Sequence, residues 1–598
     1  MIPVVRISPT DVVKYLTEVE SDRQCASNLL QTLRTNYSDP SLRSYLNRHG
    51  LRIALHAAGI TRTHLDRIIE RYAGQALATV SEQPFRLRKD IKGISLGMCC
   101  AIWRRLSPTV MDRTDLALAA AEEVISSIGR DGNIYADRNA IVRAIANLAG
   151  VLPEDADRAC AEIERLRAAV TFRRNGVLKI ANARSYDQER SIANEVLTRF
   201  CEYRPPDVPT VLKAMARSGI ATPDPLQIDA VRTALSHQVS LITGGPGTGK
   251  STIIKAIALL LREENPRVRI RLGSLAARIA RAVGAKTGVE ADTIHAILGH
   301  SNNANTHHAG NPLPVDVMVV EEAFMLGNGL FHDLLRALPP LARLIIIGDH
   351  QQLQPIQEGK PVEAIMNSGS VPTVRLERNH RSHSSEIPDA GRRVMQGLIP
   401  LPSAAIQIIS TSSSKAALAS VIAQFDRLSE QRGDSVQILC ALHKGRLGTV
   451  ALNRAISGND EIAIGELVMQ IRNDRERGIF NGEIGTVTDR SLTGLTMVRD
   501  DGTTFFYKNS ELSQLRRAWA ISFHKSQGLE YEHVIMIVSR SHLSMLNRNM
   551  INVGITRAKK TCVIIDHANA LAQAVARNTG ESRTTLLTDL MQGRNPLA

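Results

Sequence analysis

Residues 241–261 read LITGGPGTGKSTIIKAIALLL, an apolar run, a glycine-rich turn and a second apolar run with helical spacing. Gly244, Gly249, Lys250 and Ser251 hold the G-x-x-x-x-G-K-S spacing of a phosphate loop. Glycines let successive backbone N–H groups turn inward on an anion, and the helix that follows adds the positive end of its dipole. Lys250 is then placed to reach the β- and γ-phosphates of a nucleoside triphosphate, and the Ser251 hydroxyl to hold Mg²⁺. The candidate nucleotide-binding set is Gly245, Pro246, Gly247, Thr248, Gly249, Lys250, Ser251 and Thr252.

Such a site needs acid at the end of a neighbouring strand. The run VMVVEEA supplies Glu321 and Glu322. One carboxylate, Glu321, joins Ser251 in the Mg²⁺ shell, and the next orients the attacking water. Alone, paired glutamates after an apolar run fit a solvated strand end equally well; beside the phosphate loop they become candidate catalytic groups.

These residues need a scaffold. The chain has 598 residues, 43% apolar and 22% charged, the make-up of an ordinary globular protein. That length implies two to five domains. No run of about 20 apolar residues is present, so no membrane partner is expected. Asp11 and Lys14 interrupt the N-terminal stretch before a signal core forms, so cytoplasmic residence is expected. Seven cysteines form no CxxC pair, which argues against a zinc site or a disulfide framework. The net charge of +14 favours a polyanion such as nucleic acid, although a solvated basic surface explains charge alone equally well.

Residues 1 to about 200 read as mostly helical, and CEYRPPDVPT as a linker. From about residue 222, β-type runs alternate with helices: VSLITG, PVDVMVVEEA, ARLIIIGD, SVQILCAL, EHVIMIVS and KTCVIID. That alternation predicts α/β layers built on parallel sheets. Close-spaced strands with Gly and Asp-Gly turns between 481 and 512 predict a small inserted β-barrel. The polar stretch 300–314 predicts a surface loop or hairpin whose histidines are solvated.

Further stretches follow in a distinctive order. LIIIGDHQQLQPI holds Gly348, Asp349 and Gln352; RLERNHRSHSSEI holds Arg381; WAISFHKSQGLEYEHVIMI holds His524 and Lys525; INVGITRAKKTCVII holds Thr556 and Arg557. This series resembles the motifs of superfamily 1 helicases, specifically the RecD-like branch that acts without RecB and RecC. PLQIDAV, with Gln227, is similar to its adenine-reading segment. ADTIHAILGH, with Thr293 and His295, resembles a stretch that the branch places beside DNA. The segment from LNRHG to KGISL is similar to its helix-hairpin-helix region. No OB-like segment precedes that region, so a shortened N-terminal end is expected.

The resemblance implies a helical, helix-hairpin-helix-like region over 1–205. A first RecA-like domain follows over 206–375, with a strand-separating hairpin at 300–314. A second, over 376–598, carries an SH3-like barrel at 481–512. It implies ATP between the two RecA-like domains, 5′-to-3′ travel on single-stranded DNA, unwinding of forked duplex, a role in DNA repair or recombination, repair-protein partners and a monomer. It assigns transition-state contacts to Arg381 and Arg557, γ-phosphate sensing to Gln352, and polynucleotide contacts to Arg278, Thr293, His295, His524 and Lys525. Phe324, Trp519 and Phe523 are candidates for either base stacking or core packing.

Departures are visible. Glu321 stands where the family has Asp, GSLAARIARAVG keeps only Arg278 of a Pro-Thr-Gly signature, and Ser95 replaces the second hairpin glycine. An ATP-gated DNA-binding subunit with weak turnover and an RNA helicase of the same superfamily therefore stay open as alternatives.

Overall fold

The computed structural model describes residues 8–19, 26–29, 31, 40–106, 112–301, 304–378, 386–430, 435–459, 461–474, 476–578 and 583–595. Two compact units form, one from Met1–Ile128 with Tyr135–Arg184, the other from Gly129–Ile134 with Ser185–Pro596.

The first unit is built on helices, among them Arg62–Tyr72, Leu96–Leu106, Arg113–Ser127 and Pro153–Arg165. At the Leu96 helix the departure from the hairpin pattern acquires a purpose: Ser95 Oγ accepts from Met98 N at 3.2 Å, a helix cap. Gly93, at φ +101°, keeps the turn that only glycine enters easily, and a Cβ there would lie 2.6 Å from His64 Nε2. Three short strands, β1 (Tyr135–Asp137), β2 (Ala169–Arg174) and β3 (Val177–Asn182), form an antiparallel sheet ordered β1-β3-β2. The helical reading had no strands here. Asn175 (φ +50°) and Gly176 (φ +78°) between β2 and β3 form the Asn-Gly hairpin turn that reading passed over.

In the second unit all six β-type runs are strands. The first sheet comprises β4 (Val239–Gly244), β5 (Ile270–Ser274), β6 (Glu290–Thr293), β7 (Val317–Val320), β8 (Arg343–Gly348) and β9 (Thr373–Leu376). Its order is β6-β5-β7-β8-β4-β9, and every pairing is parallel. Helices cover both faces, so both faces are apolar: Leu344 and Ile346 of β8 enter one core, Ile345 and Ile347 the other.

The second sheet repeats this plan with β10 (Ile406–Thr411), β11 (Val436–Cys440), β17 (Ala520–Ser522), β18 (Tyr531–Ser539) and β19 (Ala558–His567), ordered β10-β19-β18-β11-β17 and all parallel. Val534 and Met536 face one core, Ile535 and Ile537 the other. Both are RecA-like parallel sheets.

Between β11 and β17 lies an antiparallel sheet of β12 (Leu467–Gln470), β13 (Ile484–Arg490), β14 (Gly494–Arg499), β15 (Thr504–Lys508) and β16 (Leu515–Arg517), ordered β15-β14-β13-β12-β16. It reaches beyond 481–512 on both sides, because β12 pairs with β13 on one edge and β16 on the other. Its own core holds Val468, Val487, Leu495, Met497 and Tyr507. Stretch 300–314 carries single bridges, Ser301 to Ala304 and His308 to Asn311, and no longer ladder among the described residues.

Candidate functional site

Strand order brings the chemistry together. β8 lies between β4 and β7, so the phosphate loop after β4, the glutamates after β7 and the Gln352 loop after β8 share one end of the sheet. That is where open α/β sheets bind ligands. Gly249, at φ +88°, starts the helix Lys250–Glu264. Pro246, Gly247, Thr248, Gly249, Lys250, Ser251 and Thr252 line a cavity of about 490 Å³ with Glu321, Glu322, Gln352 and Arg557. Lys250 Nζ donates to the carbonyls of Gly244 (2.7 Å) and Gly245 (3.0 Å).

Gln227 sits behind the loop and is buried. Its Nε2 donates to Thr248 O at 3.0 Å, and its Oε1 accepts from Asp224 N at 3.2 Å. A Cβ at Gly249 would lie 2.7 Å from that Nε2, so the glycine makes room for the brace. The amide nitrogen thus braces the loop, while the oxygen closes the capping box of Gln227's own helix, Pro225–Ser236.

Both glutamates are buried. Burial, reinforced by the adjacent Glu322 and opposed by Lys250, pushes Glu321 up to about 8. Its Oε2 is buried with no hydrogen-bond partner, an orphaned acceptor facing a cationic loop. Glu322 is also raised, chiefly by burial, against the pull of Lys250 and Arg557. Its φ of +54° is a conformation that costs a non-glycine residue about 1–3 kcal/mol and clusters at functional sites. Gln352 Nε2 lies 3.5 Å from Glu322 Oε1.

Arg557 ends the helix Arg548–Thr556 of the second sheet and is 3% exposed. Nη1 donates to Leu529 O at 3.1 Å and Nε to Val553 O at 3.3 Å. Burial pulls its guanidinium below the ordinary value, while Glu322 and Asp349 favour the charge. The same helix holds the Gln352 loop: Asn549 Nδ2 donates to Gln351 O (3.2 Å) and Gln352 O (3.1 Å). Arg381 lies outside the described residues.

The expected polynucleotide residues each have local partners. Thr293 Oγ1 caps a helical turn by accepting from Ala296 N at 3.1 Å. The His295 and His300 rings meet edge to face at 5.6 Å. His524 and Lys525 are partly buried, and burial lowers both from their ordinary values; Lys525 Nζ donates to Asn481 Oδ1 at 2.6 Å. Arg278 lines the nucleotide-sized cavity and pairs with Asp500 at 3.2 Å. Phe523 is fully buried and Phe324 nearly so, whereas Trp519 packs edge to face on Phe425 at 5.5 Å.

Sequence reasoning missed the helix Ala277–Thr287, whose Ile279, Ala282, Val283 and Lys286 line the cavity. Their i, i+3, i+4, i+7 spacing was the available signal. Among the described residues the six cysteines are free, no cluster of His, Cys, Asp and Glu forms a metal site, and no helix is long and apolar enough to cross a membrane.

Residues 222–414 match the family model of an AAA domain, and 517–565 that of a UvrD-like helicase C-terminal domain. The chain is 27% identical over 560 residues to the ATP-dependent RecD2 DNA helicase of Deinococcus radiodurans, covering 89% of this chain and 76% of that one. It is 26% identical over 423 residues to the RecBCD enzyme subunit RecD of Mycolicibacterium smegmatis, covering 60% and 76%. A crystal structure of Bacteroides Pif1 bound to ssDNA superimposes with a TM-score of 0.41 at 17% identity, over 60% of this chain and 96% of that one. Along most of its length, with a matched model on each parallel sheet and the motif series in order, the chain is similar to RecD-like helicases of superfamily 1.

Proposed function

We propose that the protein is an ATP-dependent DNA helicase that moves 5′-to-3′ on single-stranded DNA and unwinds forked duplex in DNA repair or recombination. One observation carries this reading: Lys250 from the first sheet and Arg557 from the second face one cavity with two buried glutamates. A site made by two lobes changes shape when its ligand is cleaved, and that change is what a motor transmits.

Lys250 and the loop N–H groups hold the triphosphate, and Glu322 orients the attacking water. Arg557 supplies a planar, permanently charged donor to the γ-phosphoryl group as charge develops. Gln352, beside Glu322 and tied to the Arg548–Thr556 helix, senses that phosphate and reports it across the lobes. The orphaned Glu321 oxygen and the Ser251 hydroxyl, on one cavity wall, suit a hard divalent cation, so these two residues would hold Mg²⁺. When bound, Mg²⁺ neutralises charge on the β- and γ-phosphate oxygens.

DNA crosses both lobes near Thr293, His295, His524 and Lys525, stretch 300–314 divides the strands, and the antiparallel insert is the SH3-like module of this branch. The chain works as a monomer with repair proteins as partners.

Strand displacement tests the reading. Forked and 5′-tailed DNA duplexes are unwound with ATP, and 3′-tailed duplexes and RNA are not. Unwinding only from 3′ tails, or of RNA in preference to DNA, contradicts it.

A further inference from the structure

Arg278 faces two ways. It lines the cavity with Lys250 and Arg557, and a second cavity of about 530 Å³ with Asp500, Glu530 and Tyr531. Nη2 donates to Asp500 Oδ2 at 3.2 Å, while Nη1 is buried with no acceptor. A guanidinium presents five donors in a fixed fork, so an orphaned Nη1 at a cavity wall has a definite appetite for an anion.

The pair it makes is weak by location. Asp500 is 79% exposed at the β14–β15 turn, where water screens the attraction. One helical turn on, Arg281 makes the opposite kind of contact. It pairs with Glu483, whose side chain is 1% exposed, and Arg499 Nη1 donates to the same carboxylate at 2.9 Å. The Arg281 guanidinium also stands 5.6 Å from the Phe480 ring centre. The Ala277–Thr287 helix is therefore fixed to the antiparallel insert at Arg281 and loosely tied to it at Arg278. Its Ile279 also sits against the Gly528 turn, where a Cβ would approach within 2.5 Å.

We propose that Arg278 is a nucleotide-gated latch. A triphosphate in the Lys250 cavity captures its guanidinium and releases Asp500, freeing the β14–β15 turn of the insert while Arg281 keeps the helix attached. The proposal rests on reading that cavity as the triphosphate site. It gives the insert direct knowledge of nucleotide state without movement of the whole lobe, and it assigns Arg278 to nucleotide instead of polynucleotide.

The test titrates a fluorescent, non-hydrolysable ATP analogue with Mg²⁺ into the full-length protein. Asp500→Ala removes a competitor for Arg278 and tightens binding, about threefold for a pair this exposed. Arg278→Ala loses a charge-assisted contact and weakens binding about tenfold. The double variant matches Arg278→Ala alone, because Asp500 acts only through Arg278. Asp500 lies on an exposed turn, and thermal unfolding of Asp500→Ala confirms that the fold is retained. Unchanged affinity in Asp500→Ala, or additive effects in the double variant, overturns the latch while leaving the site intact. Lys250→Ala run alongside separates the two failures: analogue binding equal to wild type there removes the triphosphate site, and the latch with it.

Discussion

Arg557→Ala lowers kcat for ATP by about 10³- to 10⁵-fold, the range over which an arginine donated to a γ-phosphoryl group acts. That is about 4–7 kcal/mol of transition-state stabilisation. The guanidinium is buried, is oriented by the Leu529 and Val553 carbonyls, and has its charge favoured by Glu322 and Asp349. Its cost of desolvation is already met in the folded protein, so little reorganisation is needed when charge develops. Arg557→Lys keeps the charge but not the fork, and recovers only a small part of the rate. Single-turnover hydrolysis with saturating ATP measures both variants. A kcat for Arg557→Ala within about tenfold of wild type contradicts the assignment.

Lys250→Ala abolishes both hydrolysis and unwinding, with ATP turnover down by about 10³-fold or more. Lys250 is the cation that opposes ionisation penalties at both Glu321 and Glu322, so its loss removes the phosphate contact and leaves the two carboxyls less able to carry charge. Steady-state phosphate release and strand displacement on one preparation check this. Hydrolysis lost with unwinding retained would separate the two activities and refute a motor driven from this loop.

Most of the site's frame was legible because each chemical group follows a buried strand. The Gly244 turn follows β4, Glu321 and Glu322 follow β7, and Asp349 and Gln352 follow β8. In a parallel sheet every such residue emerges at the same edge, so order along the chain predicts proximity. What stayed hidden depends on partners distant in sequence. Nothing in PLQIDAV says that Gln227 spends its amide on Thr248, because that bond needs the loop folded against the preceding helix. Nor does GSLAARIARAVG say that Arg278 pairs with Asp500, since only the folded insert brings the two together. The insert itself read too short because β12 and β16 are few-residue strands that pair only with each other and with β13. The Asn175–Gly176 hairpin was the exception, a local signal overlooked amid helices.

ATP turnover by the full-length protein, measured with and without single-stranded DNA, addresses the central claim most directly. The account predicts several-fold stimulation by DNA, since a polynucleotide held by both lobes favours the closed arrangement that brings Arg557 to the γ-phosphate. Turnover that is the same with and without DNA contradicts it.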